Sequence, residues 1–201
     1  MTEMKKHNNK YLFLLLMIIG IVLVPAYETY SQNRSVTAAA EKITGDRFRV
    51  TATTPKGAKI VAVSKPSSAM LKAIDSGLAD LFAVAKKNKY KKRLNYSDYT
   101  IYIANPDRLK DANGAYSPDI AVGAAQYAGT EYDKGGYIYA AGMVLDTARM
   151  AFVIAEHTKN FSRVSDVVRF EGEHLVLYQN DRKRFNETLD HSKGGGHPIL
   201  Q

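Results

Sequence analysis

Glu171 and His174 stand three residues apart in a stretch, Arg163 to Asp190, that holds no Pro and no Gly except Gly172, and that reads as one long helix. Side chains at i and i+3 of a helix project the same way, about 4.5 Å apart along its axis, so a carboxylate and an imidazole so placed can share one metal ion or one hydrogen bond. On a helical wheel Val167, Tyr178 and Phe185 fall within ~20° of one another and mark the inward stripe. Glu171 lies about 40° to one side of Val167 and His174 about 20° to the other, so both are expected on the buried face. Arg169 and Glu173 are expected to face solvent. A buried carboxylate and imidazole need partners, because leaving them unpaired costs several kcal/mol.

Three of the five histidines, His174, His191 and His197, fall in the last 28 residues. His197 follows Gly194-Gly195-Gly196 and precedes Pro198, which gives free reach and then a stiff stop. If His191 or His197 folds back, the set Glu171, His174, His191, His197 offers oxygen and nitrogen ligands compatible with zinc and leaves a position open for water. Asp181 lies two turns from His174, roughly 10.5 Å on a straight helix, and so belongs behind these ligands or to a separate site. His157, at the end of a strand candidate, reads as a further ligand or, more plainly, as a surface residue in a loop. The plainer alternative is that Glu171 and His174 pair internally with Arg169, Tyr178 or a Tyr of the sheet, tying helix to core.

Phe170-Glu171-Gly172-Glu173-His174 resembles the zincin metallopeptidase motif His-Glu-x-x-His with Phe in place of the first His. The resemblance implies a general-base role for Glu171 and a ligand role for His174. It supplies no first ligand, because Phe170 cannot bind metal. It leaves the third ligand open too, since Asp181 is seven residues from His174 rather than the usual six. An order of sheet and helix before the motif helix is similar to that family as well.

The elements that must carry these residues are read from periodicity. Arg47–Thr53 alternates apolar and polar residues, Pro55-Lys56-Gly57 turns, and Lys59–Val63 returns, a likeness to a β-hairpin. Pro66-Ser67-Ser68 opens a helix with Ser as N-cap, and Leu71, Ile74, Leu78, Leu81, Phe82 and Ala85 keep helical spacing. It runs into Lys86-Lys87-Asn88-Lys89-Tyr90-Lys91-Lys92-Arg93, either a solvated helix end or a contact for an anionic envelope polymer or lipid headgroups. Tyr99–Ala104, Ile120–Tyr127, Tyr137–Val144 and Met150–Glu156 are strand candidates. Eight Tyr lie between positions 96 and 139, suited to a sheet face or to stacking on sugar rings. The fold expected is α+β: an antiparallel or mixed sheet with two main helices, 68–92 and 163–190, packed on it, preceded by one N-terminal transmembrane or signal helix.

That N-terminal helix is read from Lys5, Lys6 and Lys10 ahead of a charge-free run from Tyr11 to Tyr27. The run fits a cleaved signal peptide or a retained anchor. Both place the rest of the chain outside the cytoplasm, either single-pass at the cell membrane through residues 11–27 or released. Residues 1–27 are thus anchor or signal, 28–45 a tether or short helix, and 46–201 one exported domain.

With no Cys among 201 residues, disulfides, thiolate zinc sites and Cys nucleophiles are excluded. No Gly-x-Ser-x-Gly elbow, phosphate-binding Gly loop or dinucleotide fingerprint occurs. Nucleic acid is not an expected partner, because the compartment opposes it. Two functions follow: a membrane-anchored, zinc-dependent hydrolase of peptide or envelope polymer, or a non-catalytic envelope domain binding glycan, anionic lipid or a partner protein.

Overall fold

The computed structural model describes residues 35–106, 119–122, 138–189 and 196–201. Within it the chain divides into two compact units, Met1–Ala38 and Ala39–Gln201. The second is an α+β unit built on a mixed five-stranded sheet. Residues 11–27 and His191 lie outside the described residues, and no described helix is long and apolar enough to cross a membrane.

Residues 35–44 are helical and form α1. β1 (Val50–Thr53) and β2 (Lys59–Ala62) pair antiparallel as the hairpin expected, Val50 opposite Ala62. Gly57 takes φ 104° in the turn, a left-handed conformation that a side chain resists. Ser67 caps α2 (Ser68–Lys87) by accepting a hydrogen bond from the Met70 amide, and Ile74, Leu78, Leu81, Phe82 and Ala85 are buried as their spacing requires. α2 is the crossover to β3 (Thr100–Ala104), which lies parallel to β2. β4 (Ile120–Val122) and β5 (Ile138–Ala140) make a separate antiparallel pair. The strand expected over 137–144 is two strands: a bend at Ala141 separates β5 from β6 (Gly142–Asp146).

β7 (Ala151–Ala155) sits between β3 and β6, parallel to the first and antiparallel to the second. The sheet order is therefore β1-β2-β3-β7-β6. Parallel strands in the middle of a sheet are buried on both faces and read as unbroken apolar runs, as Ile101–Ala104 and Ala151–Ala155 do. Ile101, Ile103, Phe152 and Ile154 join the core cluster with both long helices. Tyr102, packed edge-on against Phe48 with ring centres 5.2 Å apart, is buried as well, as is Tyr99. These two tyrosines are core residues, not a platform for sugar.

The long C-terminal helix is two helices, not one: α3 (Phe161–Asn180) and α4 (Arg182–Thr188). Asp181 breaks it with extended backbone, φ −147° and ψ 83°, while its side chain caps α4 by accepting from the Arg184 amide. Asp is a better cap than helix-interior residue because its short carboxylate competes for backbone N–H groups. Asp181 also accepts a hydrogen bond from the Tyr90 hydroxyl. It has a structural role at an element boundary.

Candidate functional site

A single cavity of about 520 Å³ gathers Glu171, His174 and His197, with Phe170 and Val167 beside them on α3. β6 and the residues before it form the opposite wall, and Phe185 and Leu189 come from α4 and its end. Gly142 is what lets the strand approach: a Cβ there would stand 2.9 Å from both Glu171 Cγ and Val167 Cγ1. Strand backbone is thereby laid directly over the carboxylate-bearing turn of α3.

The walls around Glu171 are apolar, and burial pushes its carboxyl up from 4.5 to about 8. Glu171 retains partial access to the cavity, so the same group is both desolvated and reachable. At neutral pH it is mostly a neutral acid. His174 is buried, as the wheel requires, and its ring meets that of His197 edge-on with centres 5.0 Å apart. His197 also stacks on Phe170, centres again 5.0 Å apart. The residue standing where the motif would have its first histidine therefore serves as the shelf for the tail histidine.

Glu173 overturns an expectation. Its side chain is fully buried rather than solvent-facing, and Arg169, one turn back, is half-buried. Glu173 accepts from Arg169 Nε at 3.3 Å and from the Ile199 amide at 2.7 Å, and its Oε2 lies 3.4 Å from His197 Nδ1. Because a carboxylate only accepts, that contact is a hydrogen bond when Nδ1 carries a proton. The wheel fails because residues 172–177 are buried all the way round the helix. The sheet covers one side, and α2 covers the next, where Leu81 packs against Gly172. The segment 196–201 lies over the third, with Leu200 fully buried. Arg169 Nη2 donates to the Leu200 carbonyl, Arg184 Nη2 to that of Ile199, and Asn88 Nδ2 to that of Gln201. The signal available in sequence was the Arg169/Glu173 spacing of i and i+4, which favours an ion pair.

His157 is buried rather than on the surface, and its Nδ1 has no hydrogen-bond partner among the described residues. Burial lowers its pKa first, and the Arg163 guanidinium, itself bound to Asp119, lowers it further. It stands apart from the cavity that holds Glu171. Among the described residues no three His, Asp or Glu side chains form a group able to hold a metal ion. Glu171, His174 and His197 share a cavity without closing on one point.

The molecule is thus an α+β domain with an acid–imidazole cleft on one long helix. No family model matches the chain, and neither a curated protein nor a solved structure matches it.

Proposed function

We propose that this cleft is the working site of a hydrolase acting on peptide or envelope polymer, in a protein held at the cell membrane by residues 11–27 with its domain outside the cytoplasm. One observation carries the reading: a desolvated carboxyl, Glu171, shares a reachable, mainly apolar cavity with two imidazoles delivered from separate parts of the chain. A carboxylic acid whose pKa sits near the working pH can give and take a proton in hydrolysis, the requirement of general acid–base catalysis. His197 is held by its stack on Phe170 and by its contact with Glu173. Apolar side chains of a peptide suit walls made by Met143, Val144, Val167 and Phe185.

Zinc belongs to the proposal only with a further donor. Glu171, His174 and His197 have suitable chemistry, and an imidazole whose other nitrogen is held by a carboxylate matches the usual setting of a zinc-binding histidine. The described residues do not complete a set, and His191 is the donor that the sequence offers. Bound there, zinc would polarise a carbonyl and acidify water.

The test uses the full chain purified without a metal-binding tag. Hydrolysis of a peptide or envelope-polymer substrate that is lost in Glu171→Gln, with the melting temperature kept, supports the reading. About one zinc per chain, absent from His174→Ala and His197→Ala, supports the metal part. A folded chain that cleaves neither substrate class, with and without added zinc, overturns it.

A further inference from the structure

Cations at a helix C-terminus complement the macrodipole, and this accounts for Lys86 and Lys87 in the last turn of α2. It does not account for the loop beyond. Lys89 and Arg93 adopt left-handed backbone, φ 64° and 58°, which residues with a side chain take reluctantly. Between them the loop is pinned. The amides of Lys91 and Lys92 both donate to Asn180 Oδ1, at 3.1 and 3.0 Å, and Asn180 Nδ2 donates back to the Lys92 carbonyl. The Tyr90 hydroxyl donates to Asp181 at 3.1 Å, and Arg184 Nη1 reaches Asn88 Oδ1 at 3.5 Å.

These contacts join the loop to the start of α4, which adds Arg182, Lys183 and Arg184. The outcome is one face built from α2, the loop and α4. Segments 86–98 and 181–188 hold nine Lys and Arg against Asp98, Asp181 and Glu187, a net of +6. Residues 28–201 hold 25 Lys and Arg against 19 Asp and Glu, again +6, so these segments carry a charge equal to the whole excess. Arg93 pairs with Asp98 and Lys183 meets Glu187, whereas Lys86, Lys87, Lys89, Lys91 and Lys92 are exposed and make no ion pair among the described residues. Holding such an array in fixed geometry against its own repulsion is more than solubility demands.

We propose that this composite face docks on a bilayer of anionic phospholipid. A lipid surface fits better than a polymer strand for two reasons on the face itself. The cations are spread over three segments, and each contributes separately near an anionic surface. The tyrosines of the face are packed inward rather than offered as platforms for bases or sugar rings: Tyr90, Tyr96 and Tyr178 are partly buried against the core, and the Tyr178 ring is also covered by Arg182, whose guanidinium carbon is 3.2 Å from the ring centre. The apolar segment 11–27, as a membrane anchor, would keep such a face within reach of headgroups. The proposal does not depend on the hydrolase reading.

Flotation of the full chain with phosphatidylcholine vesicles, with and without phosphatidylglycerol, tests it. Segment 11–27 and Lys5, Lys6 and Lys10 beside it are common to the native chain and its variants, so the change in the ratio between vesicle types reports the face. Expected is a preference of about tenfold or more for anionic vesicles at low salt, lost near 1 M salt where the screening length is about 3 Å. The variant Lys89→Glu/Lys91→Glu/Lys92→Glu lies beyond the last turn of α2, removes no lysine side-chain hydrogen bond found among the described residues, and must remove most of the preference at an unchanged melting temperature. Arg182→Glu with Lys183→Glu, on the other element, must reduce the same ratio. Equal partition into both vesicles, or a preference unchanged in both variants, overturns the proposal. Capture by soluble polyphosphate without any vesicle preference overturns it as well.

Discussion

Two glutamates two residues apart on α3 have opposite settings. Glu171 has apolar neighbours and a carboxyl raised to about 8, while Glu173 is fully buried but surrounded by donors. For Glu171 the folded pKa lies above the unfolded value, so between about 4.5 and 8 the native state binds more protons than the unfolded one. Its stabilising contribution is therefore complete at acid pH and is lost as pH rises through 8, a loss on the order of a few kcal/mol. Glu171→Gln should flatten that part of the stability–pH curve and raise the melting temperature above pH 8 relative to the native chain, measured by thermal unfolding across pH 4–9. A curve unchanged by the substitution would show Glu171 to be well solvated. Glu173→Ala removes the acceptor shared by Arg169 and the Ile199 amide and should cost about 3 kcal/mol in denaturant unfolding. A cost near zero would mean that segment 196–201 does not depend on this carboxylate.

At the scale of elements, α2 and α3 meet through small residues. A Cβ on Gly77 would collide with the Ser165 carbonyl and stand 2.8 Å from Val168 Cβ, whereas one on Gly172 would meet only the side chain of Leu81. Backbone cannot yield and a Leu rotamer can. Gly77→Ala should thus destabilise by about 2–3 kcal/mol despite the better helix propensity of Ala, and Gly172→Ala by clearly less. Equal penalties would place the helices farther apart than described. Much at this scale was legible in the sequence. The β1–β2 hairpin, the Ser67 cap, α2 and the central strands follow from alternation, capping chemistry and continuous apolar runs, all local signals. What escaped depended on neighbours distant in the chain. The break at Asp181 is fixed by a cap and by Tyr90, 91 residues earlier. The burial of Glu173 arises because a single-stripe wheel presumes one covered face, while α3 is covered on three sides.

Over the whole molecule, the site and the fold are joined through segment 196–201. Leu200 is fully buried in the core, three residues on from the histidine that enters the cleft. Its backbone and that of Ile199 are held by Arg169, Arg184 and Glu173 from two helices. The sequence pointed to Glu171, His174 and His197, and the structure lines one cavity with them. It could not show that His197 is carried there by a core leucine, because the Gly194–Gly196 run hides any periodicity. Leu200→Ala should cost about 3 kcal/mol, the usual penalty for emptying a buried leucine site. If the strap positions His197, the effects of Leu200→Ala and His197→Ala cannot be independent, and the double variant should lose at least 0.5 kcal/mol less than the sum of the single losses. Additive losses would separate the leucine anchor from the histidine. The cleft would then owe His197 to its own contacts with Phe170, His174 and Glu173, and loosening the strap would leave the imidazole in place.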